Sequence, residues 1–237
     1  MSAAIDTLSR FYSSSIGKKI LVALTGLVLV SFVLGHMLGN LLVFAGPAAI
    51  NEYGHMLHTA LHGAGVWIAR LGLLAAVVVH IVATVQLAMA NRAARNDGYG
   101  RKKYPVSSTS SRTMIWSGLT VLAFIIYHLL HFTVRTGNEY NNPALYSYDL
   151  GGVEVHNVYK MVIDGFSWAP AVLFYLLAMV LLCSHLGHGV SSIFQTLGLT
   201  TPRTWPMIKR ASQAFALFIL VGNSAIPIAI YFFGYGR

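Results

Sequence analysis

Cysteine is almost absent from this chain: one residue, Cys183, among 237. That count excludes a disulfide within the chain and a thiolate-held iron–sulfur cluster. Charge is scarce too, at 10% of residues, and only seven are Asp or Glu. The sequence is 56% hydrophobic, with a mean hydropathy of +0.64. A soluble domain of this size cannot hide that much apolar surface. The sequence also lacks the alternating segments of about ten residues that mark a transmembrane barrel. It has no internal repeat and no low-complexity tract.

What it has is five apolar runs, at 20–44, 66–90, 114–134, 168–190 and 211–233. Each meets the length of roughly 20 residues that a helix needs to cross a bilayer. Only helices and closed barrels satisfy every backbone polar group inside lipid. The expected fold is therefore all-α, one integral membrane bundle of five helices spanning 1–237. The first run is too long, and too interrupted by polar residues, for a cleavable signal peptide.

The net charge of +9 has a direction. Arg10, Lys18 and Lys19 precede the first run. Arg92, Arg95, Arg101, Lys102, Lys103 and Arg112 lie between the second and third, and Arg203, Lys209 and Arg210 between the fourth and fifth. Twelve of the sixteen cations thus share one side, leaving Arg70, Arg135, Lys160 and Arg237 on the other. By the positive-inside rule the N-terminus is expected in the cytoplasm and the C-terminus outside. No nucleic acid is needed to explain the basicity; the basic face suits anionic lipid headgroups or a soluble partner.

Between the spans, 1–19 reads as a partly helical lead. At 45–65 a short interfacial helix is expected to carry His55, His58 and His62 on one face. The segment 135–167 reads as an ordered external cap, with a hairpin at Gly151-Gly152. The SSIFQTLG segment is expected to prolong the fourth helix. Pro227 is expected to kink the fifth, with Asn223 and Ser224 helping the freed carbonyl.

Ionisable residues within spans are rare and are functional by default. Four spans carry a histidine each: His36, His80, His128 and His188. At 1.5 Å per residue, His36 lies about 24 Å and His128 about 21 Å from the cytoplasmic ends of their runs. His80 lies about 15 Å from its own cytoplasmic end, and His188 lies near the end of the fourth run. The four thus fall into an outer and an inner pair. Neutral imidazole is a metal ligand, and two imidazoles on neighbouring helices fill both axial positions of a haem iron. Two haems b stacked across the membrane are the expected cofactors. Gly35 and Gly39 beside His36, and Gly187 and Gly189 beside His188, leave room for a flat macrocycle. Candidate partners for the haem propionates are Arg70, Arg135 and Lys160 outside, with Lys18, Lys19, Arg92 and Arg112 inside. His131 and His185, one turn from His128 and His188, are alternative ligands or partners of propionate or quinone. A lone histidine in a span is more often a hydrogen-bond partner for a neighbouring helix; four paired by depth favour ligation.

These residues carry a resemblance. SSSIGKKILVALTGLVLVSFVLGHMLGNLLVFAG, HLGHGVSSIFQTLG and TPRTWPMIKR with IPIAIYFFG resemble the cytochrome b membrane anchor of succinate:quinone oxidoreductase. The likeness is to the single-anchor, five-helix, dihaem branch, found in bacterial succinate dehydrogenases and fumarate reductases. It implies a multi-pass protein of the bacterial cytoplasmic (inner) membrane, working with a flavoprotein subunit and an iron–sulfur subunit. Succinate–fumarate chemistry would reside on the flavoprotein, and oligomers of the whole complex are compatible with it. The resemblance also implies that His36 and His128 hold the distal haem, and His80 and His188 the proximal one. The membrane quinone, menaquinone or ubiquinone, is expected at either face. Asn40, Glu52, Tyr53 and His55 are candidates outside; Ser14, Lys18 and Arg92 are candidates inside. Some fumarate-reducing relatives carry a proton-conducting glutamate two residues before the last ligand, where this chain has Leu186. Alternatives are a dihaem anchor of another quinone-linked oxidoreductase, and a haem-free transporter.

Overall fold

A computed structural model describes residues 2–94 and 109–237. Arg95, Arg101, Lys102 and Lys103 lie outside the described residues, as does the side chain of Arg112. Helix α1 (Ser2–Ser13) leads into α2 (Ser15–Asn40), whose start is fixed by Ser14. The Ser14 hydroxyl accepts from the Gly17 N–H at 2.9 Å, supplying one of the donors' missing partners at a helix start. A 3-10 turn, Leu41–Ala45, completes the first span.

Pro47 then opens α3 (Pro47–Thr59), a position where proline's missing N–H costs nothing. His55 and His58 lie on this helix. His62 does not share their face: it has φ 55, in a left-handed kink with Leu61. Helix α4 (Ala64–Ala93) returns across the bundle, and α5 (Thr109–His128) crosses again. At its end the helix widens into a π turn, Leu129–Val134, which stops at Arg135 with φ 61. The expected hairpin is present, with β1 (Ser147–Asp149) antiparallel to β2 (Glu154–His156). Gly151 and Gly152 hold φ 64 and 92, as a tight hairpin turn of this hand requires. Asn157 caps the short α6 (Val158–Gly165). Finally α7 (Ala169–Thr196) and α8 (Trp205–Phe233) form an antiparallel pair. SSIFQT does prolong α7. In α8 the Asn223 amide donates to the Ile219 carbonyl at 3.0 Å, rather than serving the carbonyl freed by Pro227.

Among the described residues five helices are long and apolar enough to span a membrane, so this is a multi-pass, mainly α-helical membrane fold. The crossings put α1 and the α7–α8 turn on one side. They put α3, the hairpin, α6 and the C-terminus on the other. Large apolar side chains such as Leu24, Leu74, Trp116, Leu173 and Leu217 face outward, as lipid contact requires. Lipid gives no hydrophobic drive to helix association, so close packing must hold the bundle. Gly222 of α8 lets Met37 of α2 fill the space a Cβ would take, and a Cβ on Gly187 of α7 would stand 3.8 Å from the Ala216 methyl of α8. The core accordingly lies between α2, α7 and α8, around Met37, Ala178, Met179, Leu182, Ala216 and Ile219.

The other helices are peripheral. In the spans built on α7 and α8, 39% and 33% of the most apolar stretch is buried, against 6% in those of α4 and α5. Helix α4 lies along α2, and α5 along α7. Among the described residues, α2 and α5 make at most marginal backbone contact, as do α4 and α7.

Candidate functional site: histidine pairs between the spans

Helices α2 and α5, whose backbones stand apart, are joined by a pair of histidines. His36 on α2 and His128 at the end of α5 face each other with ring centroids 5.6 Å apart and planes at 89°. His36 also stacks on Phe32 at 5.2 Å, and Phe124 lies 5.7 Å from His128. Aromatic rings thus hold both imidazoles without using their nitrogens. The exception is His128 Nδ1, which lies 3.2 Å from the Tyr175 hydroxyl of α7. His131 Nδ1 lies 3.2 Å from the same oxygen.

The other half is arranged differently. His80 of α4 meets Thr25 of α2, with Nδ1 and Oγ1 3.0 Å apart. Gly26 makes this approach possible: a Cβ there would stand 3.4 Å from His80 Cε1 and 3.5 Å from Ile193 Cδ1 of α7. His185 of α7 turns toward α5, where its Nδ1 lies 3.1 Å from the Ser117 hydroxyl. His80 and His188 are not brought into ring contact, and His188 has no hydrogen bond to its ring among the described residues. Sequence reasoning missed Tyr175, Thr25 and Ser117. A polar-tipped residue within an apolar span was the available signal for each.

The glycines divide. No atom lies within 4 Å of a Cβ placed on Gly35 or Gly189, so the backbone beside His36 and His188 is open. Gly39 is not part of that opening: a Cβ there would stand 2.5 Å from the Tyr53 ring. A Cβ on Gly187 would make ordinary contact with the Ala216 methyl, at 3.8 Å. Leu186 is buried in the core.

The candidate cations also divide. Arg70 lies over the Trp67 ring at 5.1 Å. Arg135 donates to Asn141 Oδ1 at 3.2 Å. Burial first, then the charge of Arg70, holds Arg135 below the usual guanidinium range. Burial first, then Arg135 and His58, lowers His156 of β2 to about 4, and its buried Nε2 has no hydrogen-bond partner. Two arginines and two histidines therefore gather at this rim. Lys160 is committed elsewhere, bonded to Asp164 at 2.6 Å and lying over the Tyr146 ring. On the opposite side Lys18 lies over Tyr12 at 5.7 Å, whose hydroxyl donates to Gln86 at 3.1 Å. Lys19 and Arg92 are exposed.

Of the quinone candidates, Tyr53 is half-buried against Gly39, one turn from His36. Asn40 and His55 are also half-buried, and Glu52 is exposed. Ser14 serves as the α2 cap and donates to the Phe11 carbonyl at 2.8 Å.

Among the described residues no three side chains of His, Cys, Asp or Glu converge as a metal site; His36 and His128 are the two whose rings meet. Two ligands suffice for a haem, because the macrocycle supplies the remaining ones. The residues fit such a group on the His36–His128 side: paired rings from helices whose backbones stand apart, an open glycine beside His36 and the cations Arg70 and Arg135 at the rim. No family model, curated protein or solved structure matches the chain.

Proposed function

We propose that this chain is a dihaem cytochrome b, the membrane anchor of a succinate dehydrogenase or fumarate reductase that exchanges electrons with membrane quinone. The observation that carries the reading is the approach of His36 and His128 to 5.6 Å between two helices whose backbones stand apart. His36 and His128 hold the outer haem, and His80 and His188 the inner one. When bound, each haem supplies one-electron transfer with no open coordination position.

The chain's own residues do the rest. Thr25 and Tyr175 orient ligand rings. Phe32 and Phe124 exclude water beside them. Arg70 and Arg135 meet the negative charge of propionates at the rim. The N-terminus lies in the cytoplasm of a bacterial inner membrane, which places the basic side against the iron–sulfur subunit. Succinate and fumarate chemistry stays on the flavoprotein. Quinone binds at the outer face near Tyr53 and Asn40, where exposed Glu52 exchanges protons with water.

Purification of the native complex with haem quantitation tests the reading. Two haems b per copy and co-purifying flavin and iron–sulfur subunits are expected. A reduced-minus-oxidised spectrum without a b-type α band overturns it. Two haems with a different partner enzyme keep the cytochrome but overturn the succinate assignment.

A further inference from the structure

We infer that Tyr175 is a positioning residue that, by the way it shares one proton, selects His128 rather than His131 as the outer ligand. The inference rests on the haem reading above and goes beyond orientation, to the choice between two rings.

The argument is a count of protons. Tyr175 Oη stands 3.2 Å from His128 Nδ1 and 3.2 Å from His131 Nδ1. A phenol has one proton to give. If it donates to one ring, it accepts from the other. The two neutral rings are then in opposite tautomers: one carries its proton on Nδ1 and has a bare Nε2, and the other is the reverse. If both rings donated to Oη, the phenol proton would have no acceptor. Tyr175 is only 6% exposed, and an unmade buried bond is costly. One ring alone can therefore ligate through Nε2.

The surroundings decide which. His128 is the ring that faces His36. His131 lies on Phe132 with centroids 4.0 Å apart, and its Cε1 lies 3.4 Å from where Gly165 of α6 would carry a Cβ. Its free edge is thus against the cap. The chain of donation runs from His128 Nδ1–H to Tyr175, and from Tyr175 O–H to His131 Nδ1.

The inner half obeys the same count with a different outcome. Thr25 already donates to the Leu21 carbonyl at 2.7 Å, so it receives from His80 Nδ1 and leaves Nε2 bare. Ser117 donates to Met114 at 3.0 Å and receives from His185. Those hydroxyls give their proton to backbone and serve one ring each. Tyr175 gives its proton to a second imidazole, and that is what makes it a selector. A hydrogen bond donated from Nδ1 makes the ligand more basic, which favours the oxidised iron.

The test uses the whole complex, with potentiometric titration and electron paramagnetic resonance of both haems. In Tyr175→Phe two haems are expected. The outer haem's potential should rise and its low-spin signal shift, with the inner haem unchanged. His131→Gln should keep two haems and move the outer signal by less. Two haems with unchanged potentials and spectra in Tyr175→Phe overturn the inference alone, as does loss of one haem in His131→Gln. A wild-type complex without haem overturns the underlying reading as well.

Discussion

The two halves of the bundle hold their histidines by different means. On the side of α3 and α6, the rings of His36 and His128 meet directly, packed among aromatic side chains. That end is roofed. Asn51 of α3, fully buried, accepts from the Tyr159 N–H at 3.0 Å and donates to Asn157 at 3.4 Å, tying the cap helices together. Tyr235 anchors the C-terminus by donating to the Val43 carbonyl at 3.1 Å. In the other half, single hydroxyls orient single rings, and those rings do not touch. A roof draws two helix ends toward each other; a hydroxyl on a neighbouring helix fixes only the ring that it bonds. The outer rings therefore meet, while the inner rings of His80 and His185 each answer to a separate hydroxyl.

The most severe way to break the comparison is to remove histidines two at a time. His36→Ala with His128→Ala should leave one haem per chain. His36→Ala with His80→Ala should leave none. Pyridine haemochrome assays on purified protein read the difference. The opposite result, none for the first and one for the second, ends the pairing by depth.

A milder variant sharpens the role of the roof. Asn51→Ala strands the Tyr159 N–H and should destabilise the cap by about 1–3 kcal/mol. Thermal denaturation in detergent should show a lower midpoint, with the outer haem released before the inner. Simultaneous release would mean that the cap does not brace one half more than the other.

The smallest effect is a pH dependence confined to the capped end. His156 is held at about 4 in the fold and titrates near 6.5 when unfolded. Between those values the unfolded chain binds the extra proton, so stability falls as pH drops from 6.5 toward 4. His156→Gln should flatten that part of the profile. An unchanged slope would show that the imidazole is not sheltered as described.

Much of this architecture could be read from the residues. Five spans followed from length and hydropathy, because lipid leaves the backbone no other choice. The hairpin followed from Gly151-Gly152, since few residues tolerate the turn's positive φ. That Lys18 and Arg70 fall at opposite ends of the bundle followed from counting spans. What could not be read needed contacts between helices. Periodicity places His131 near His128 but does not say that both point at Tyr175. It places His185 one turn from His188 without showing that Ser117 orients it. The left-handed kink at Leu61 and His62 escaped for a related reason, because neither residue type favours that conformation locally. Lys160 looked free until Asp164, one turn along α6, was seen to pair with it.

The π turn at Leu129–Val134 carries one more consequence. A widened turn accommodates an extra residue in a helix whose flanks remain in place. Each residue of an ordinary helix turns the chain by about 100°. Deleting one residue here would therefore restore regular winding and reset the bearing of everything downstream, His131 and Arg135 first. His128, upstream, would keep its heading toward His36. The turn works as a joint, letting the roof be re-aimed over a stationary ring.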